Sequence, residues 1–120
     1  MKKQNDIIKS RPTIAVAEQF DMLFPILEAL YDEIKELSKK KQDGVLNTVK
    51  VIMINRILDK IKVMLKDDPT VEFLDLLDEV SLPTNSDSVF ILAQFKAAMV
   101  QFKAKYYRFN GLETTWLTSD

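Results

Sequence analysis

At 120 residues, with 47% hydrophobic and 9% aromatic content, the chain is long enough to bury one core and too apolar to be disordered. Its two glycines and four prolines leave too little turn chemistry for an all-β fold of many hairpins. A formal charge of −1 removes the bulk electrostatic case for nucleic acid or an anionic membrane, and a chain without Cys or His has no disulfides, thiolate nucleophiles, imidazole acid–base chemistry or ordinary zinc or haem ligation.

Residues 1–10 read as a polar N-terminal arm with Ile7 and Ile8 as a small apolar contact. Asp6, Lys9 and Arg11 interrupt it, so it does not have the apolar stretch of a signal peptide, and no run of about 18 apolar residues follows that could span a membrane. Pro12 suits the first turn of a helix. From there Val16, Phe20, Leu23, Leu27, Leu30, Ile34 and Leu37 alternate four and three apart, a helical seam widened by Phe24 and Tyr31. Pro25 interrupts one hydrogen bond of this helix, but the seam keeps its phase across it, which predicts a kink and not a break. Lys39, Lys40 and Lys41 complement the C-terminal end.

Gln42, Asp43 and Gly44 form the first turn, with Asp43 placed to cap the next helix, and a connection this short joins antiparallel neighbours. The segment from Val45 to Lys66 is expected to be the central helix. Leu46, Val51, Met53, Ile54, Ile57, Leu58, Ile61, Met64 and Leu65 fall on one arc. Asn55, Arg56, Asp59, Lys60, Lys62 and Lys66 fall opposite, with Val45, Ile52 and Val63 as a second apolar edge among them. Asp68 and Pro69 are a fresh cap and first-turn pair, starting a short helix to Glu79 with Phe73, Leu74, Leu77 and Val80 on its apolar side.

Residues 81–88 are a loop in which Pro83 blocks helix continuation and Asn85 or Ser86 can cap the last helix, from Asp87 to Phe109. That helix carries Ile91, Leu92, Phe95, Ala98, Met99, Phe102, Tyr106 and Phe109 on its main stripe and stops at Asn110 and Gly111. Residues 110–120 are a tail, whose Trp116, with Leu112 and Leu117 beside it in the sequence, is expected to dock and not to stay exposed. The whole is read as a single all-α domain, a small helical bundle of three long helices and one short helix.

Three constellations bear on function. Asp67, Asp68, Glu72, Asp75, Asp78 and Glu79 concentrate carboxylates on the short helix, and Glu28, Asp32 and Glu36 form an acidic row on the first. Glu28, Asp32, Glu36, Asp75 and Glu79 could together hold Mg²⁺ for a phosphohydrolase, although a solvated acidic face accounts for them more simply. Lys39 to Lys41 precede a helix start that could bind an anion, and Lys96, Lys103, Lys105 and Arg108 with Tyr107 could suit single-stranded nucleic acid, but the latter are spread around the helix and solvation explains them. Loop hydroxyls such as Ser81, Thr84, Ser86 and Ser88 read as turn and cap groups with no general base beside them. The third constellation is a stripe of small apolar residues, Ala93, Ala97, Val100 and Ala104, nearly opposite Phe95 on the last helix, where a solvated surface would carry Glu, Lys or Gln. It points to another helix, in the chain or in a second subunit. The functional expectation is a non-enzymatic helical interaction or regulatory module, cytoplasmic and homodimeric, without cofactor, membrane or nucleic-acid partner; the alternative is the Mg²⁺-dependent phosphohydrolase.

Overall fold

The computed structural model describes residues 7–120. It is mostly helical, with α1 (Ile14–Lys40), α2 (Thr48–Met64), a 3₁₀ helix η1 (Pro69–Phe73), α3 (Asn85–Tyr106) and one small hairpin, β1 (Tyr107–Phe109) with β2 (Thr114–Trp116). The polar arm expected over 1–10 lies largely outside the described residues; its last part, residues 7–9, is a helical turn.

Each long helix begins at a side-chain cap. The Thr13 hydroxyl accepts from Val16 N–H, the Asn47 carbonyl from Lys50 N–H and the Thr84 hydroxyl from Asp87 N–H, at 3.2, 2.8 and 3.1 Å. These replace the expected caps: Pro12 lies just outside α1, Asn47 takes the role assigned to Asp43, and Thr84 that assigned to Asn85 or Ser86. Asp68 does cap, with Pro69 at the start of η1. The first helix runs through Pro25 without a break.

The core is built on α1, not on α2. Phe20, Leu23, Leu27 and Ile34 of α1 form one buried cluster with Val51, Ile54, Leu58 and Ile61 of α2 and with Leu92, Phe95, Met99 and Phe102 of α3. Both later helices run antiparallel to α1, and hence parallel to each other. The chain therefore returns the length of the molecule between them, and the segment expected to be a helix to Glu79 is a 3₁₀ helix in its first five residues and not helical beyond them. Helix geometry ends at Phe73; residues 74–80 continue without it, with Leu74 and Leu77 buried and Phe73 and Val80 exposed.

Two features fix that return. Asn55, assigned from the sequence to the polar side of α2, is buried and only 5% exposed. Its amide donates to Leu77 C=O at 2.8 Å, and its carbonyl accepts from Leu77 N–H at 2.9 Å. Met53, assigned to the core arc, is exposed in its place. At the far end the two loops are tied together: Asn85 N–H donates to Gly44 C=O at 2.7 Å, Leu46 N–H to Pro83 C=O at 3.0 Å, and the Asn85 amide to Lys41 C=O at 2.8 Å. Gly44 leaves room for this contact, since a Cβ at that position would lie 2.8 Å from Asn85 Nδ2 and would push the Asn85 amide off Lys41 C=O.

The C-terminal segment folds back. Asn110 and Gly111, expected only to stop the last helix, form the turn of the β1–β2 hairpin, with Gly111 at φ 104° and the Asn110 side chain accepting from Leu112 and Glu113 N–H. Trp116 docks as expected, in a T-shaped contact with Phe20 at 5.0 Å between centroids and with its Nε1–H donating to the Asp21 carboxylate at 3.2 Å. Beyond it, Ser119 N–H donates to Pro12 C=O and the Asp120 carboxylate accepts from Ile14 N–H, in the first turn of α1. Among the described residues, no helix is long and apolar enough to cross a membrane.

Candidate functional site

Of the sequence-derived constellations, only the small-residue stripe keeps a coherent surface. One side of α3 packs Leu92, Phe95, Met99 and Phe102 into the core. The opposite side presents Ala97, Val100 and Ala104 to solvent, with Val100 51% exposed and Ala93 half-buried. The four charged side chains of α3, Asp87, Lys96, Lys103 and Lys105, fall on its flanks by helical spacing, so the outward face of this 22-residue helix is uncharged from end to end. At about 1.5 Å per residue it is roughly 33 Å long.

Two exposed phenylalanines border that face. Phe73, where η1 ends, and Phe90, on the first half of α3, are 67% and 66% exposed. Phe73 and Leu74 form one wall of an open apolar groove of about 520 Å³ whose other wall is Ala97, Val100 and Ala104. Gln94 borders both this groove and the shallow cleft containing Phe90. The groove exists because η1 and the extended return lie against one flank of α3 and do not cross its outer face.

The acidic residues are not brought together. Glu28 faces Lys96 at 4.0 Å, Glu36 faces Lys39 at 3.2 Å, and Glu79 accepts from the Asn55 amide at 3.1 Å. Asp75 lies in the cleft with Phe90, and Asp32 is exposed on α1. Among the described residues no three carboxylates converge where they could hold a metal ion. Asp78 instead accepts from the Val80 and Ser81 N–H groups, which hold its carboxyl below the ordinary value.

The basic residues of α3 are likewise occupied. Lys96 lies over the Tyr31 ring and Lys103 over the Tyr107 ring, each at 4.8 Å. Lys105 reaches Asp68 at 3.3 Å. Sequence reasoning placed Asp68 both as a cap and in the acidic cluster; as the cap its carboxylate accepts from the Thr70 N–H at 3.0 Å, and it also accepts from the Thr70 hydroxyl at 2.6 Å. Burial raises the Asp68 pKa, and these hydrogen bonds together with Lys105 outweigh it and leave the carboxyl below its ordinary value. The hydroxyls of Thr84 and Ser88 are used locally, as a helix cap and as a donor to Thr84 C=O at 2.8 Å.

No protein-family model, characterised protein or solved structure matches this chain.

Proposed function

We propose that this chain is a non-enzymatic, cytoplasmic helical interaction module that pairs with a second copy of itself through the outward face of α3. The observation that carries this reading is the uncharged five-to-six-turn face bordered by Phe73 and Phe90. Small side chains at Ala97 and Ala104 let a second helix approach closely, and the Phe73 wall offers a knob for the partner's groove. A two-fold axis would give each copy the same patch, so one surface would satisfy both.

The area supports this. A phenylalanine side chain buries roughly 150–250 Å², so Phe73 and Phe90, two-thirds exposed, each offer about 100–160 Å². Across two copies the four rings supply roughly 400–650 Å², about a third of a standard interface of about 1,200–2,000 Å². Val100 and the small residues along the rest of the face add to it.

Light scattering across a concentration series tests the proposal. The wild type should approach twice its 13.9 kDa chain mass. Ala97→Glu, which puts a charge in the middle of the face, should remain folded and shift the population to monomer. A wild type that stays monomeric at every concentration, or an Ala97→Glu variant that dimerises as well as wild type, would refute it.

A further inference from the structure

A second cavity, of about 680 Å³, lies at the end of the molecule where α1 begins and α2 and α3 finish, and it is more enclosed than the groove along α3. Its volume falls within the range of about 300–1,000 Å³ typical of small-molecule sites. The walls divide by chemistry. Val16, Met64 and Phe102 give it an apolar floor, while Lys9, Arg11, Lys66 and Lys105 line it with positive charge; Asp67 and Asp68 are the acids of the lining, and the Asp120 carboxylate lies beside it, already held by Ile14 N–H.

Those charges are not equivalent. Asp68 is already committed: its side chain is 5% exposed and holds the Lys105 ammonium at 3.3 Å, which fixes that cation at the cavity while leaving it further N–H donors. Lys9, Arg11 and Lys66 make no ion pair among the described residues. The rim is thus a set of cations with donor capacity to spare, above an apolar floor. The segment bearing Lys9 and Arg11 is tied down next to it by the C-terminal residues, through Ser119 N–H to Pro12 C=O at 2.9 Å. An inorganic ion would leave the apolar floor unfilled, and a neutral hydrocarbon would leave the cations unused.

We infer that this cavity binds a small amphiphilic anion, an apolar aliphatic or aromatic body carrying a carboxylate or phosphate group. The body lies against Met64 and Phe102, and the anionic head is met by Arg11, Lys66 and the Asp68-anchored Lys105. This site is independent of the α3 face.

The probes are octanoate, octyl phosphate, 1-octanol and inorganic phosphate, each titrated into the ¹⁵N-labelled full-length chain and followed by amide chemical shifts. Octanoate, octyl phosphate or both should give saturable shifts centred on Arg11, Val16, Lys66 and Tyr106, and comparing the two identifies the head group. Octanol and inorganic phosphate should each bind at least tenfold more weakly than the better anion. The double variant Arg11→Gln/Lys66→Gln alters two side chains with no ion pair among the described residues, so it should keep the wild-type spectrum elsewhere while binding that anion at least tenfold more weakly. If that variant fails to fold, Lys66→Gln alone should still weaken the anion more than octanol. The inference is overturned if no probe saturates, if shifts centre elsewhere, if octanol or inorganic phosphate binds as tightly as the octyl anions, or if the charge variants bind the anion unchanged.

Discussion

Replacing Asn55 by alanine tests the account of how the chain returns between α2 and α3. Asn55 makes two hydrogen bonds to the backbone of Leu77, at 2.8 and 2.9 Å, and both residues are almost fully buried. Asn55→Ala would leave the Leu77 N–H and C=O without partners in a site that excludes water. Each unsatisfied buried group costs roughly 1–3 kcal/mol, so the pair should cost about 2–6 kcal/mol, a large share of the roughly 5–15 kcal/mol that holds a domain together. The variant Asn55→Asp separates the two bonds. Its carboxylate can still accept from Leu77 N–H but cannot donate to Leu77 C=O, and it places a second negative charge beside Glu79, whose carboxylate takes a bond from Asn55 at 3.1 Å. It too should destabilise at neutral pH, and the loss should shrink as acid protonates the new carboxyl and restores a donor. Urea denaturation gives the free energies, and amide exchange at Leu77 reports whether the segment detaches locally before global unfolding. A loss below about 1 kcal/mol for Asn55→Ala, with Leu77 still protected, would mean that the return is held by Leu74 and Leu77 packing and not by this clamp.

Burial and contact set the remaining expected outcomes. Ile54→Ala and Ile61→Ala remove buried side chains and should each cost roughly 2–5 kcal/mol in urea denaturation, whereas Ile52→Ala, at an exposed position, should cost under about 1 kcal/mol. Gly44→Ala drives a Cβ to within 2.8 Å of Asn85 Nδ2 and should lower stability by roughly 1–3 kcal/mol, through loosening of the joined loops seen as faster exchange of the Asn85 and Leu46 amides. Trp116 fluorescence should be blue-shifted and poorly quenched by iodide in the native state, and Leu117→Pro, which removes the 2.7 Å bond to Tyr106 C=O, should shift it toward the emission of free tryptophan. Asp68 has a folded pKa below its ordinary value of 3.8, so its contribution is complete above that value and is lost as pH falls through the lower folded pKa; Asp68→Asn should destabilise by roughly 1–3 kcal/mol at pH 7 and by less in acid, measured by thermal melts across pH 2–7.

The helical class and the three long helices were legible because α1 carries a clear one-sided apolar periodicity, reproduced by the core residues Phe20, Leu23 and Leu27, and because α3, although apolar on two opposite faces, still repeats its core residues Phe95, Met99 and Phe102 at helical spacing. The short helix was not legible, for a specific reason. Leu74 and Leu77 have helical spacing, yet the backbone there finds other partners: Asn55 takes both polar groups of Leu77, and Asp78 takes the Val80 and Ser81 N–H groups. Side-chain bonds to the backbone compete with helix, and here the decisive one comes from a residue 22 positions away, which no local window contains. The same interaction explains the misplacement of Asn55 itself. An amide in an apolar arc reads as polar surface unless its buried backbone partner is known. The expectation that α2 is the central helix fails similarly, since hydropathy reports how much surface a helix can bury and not how many neighbours share it.

The candidate site was legible in its residues but not in its weight. Alanine has the highest intrinsic helix propensity, so Ala93, Ala97 and Ala104 on an outward face have a sufficient explanation in helix stability alone. Val100, Phe73 and Phe90 do not: β-branched and aromatic side chains are poorer helix formers, and exposure gives them no packing in return. Phe73 could not be assigned to this face from the sequence, where it read as part of the apolar side of a helix that does not form. Among the described residues the face is left uncovered because the other elements are committed elsewhere: α1 takes the inner side of α3, the return from η1 takes one flank, and the hairpin closes back over Phe20 toward the start of α1. A cover for Phe73, Phe90 and Val100, such as the second copy proposed above, would therefore have to come from outside the described residues. The aromatic pair, more than the alanines, is the part of this surface for which solvent alone offers no physical reason.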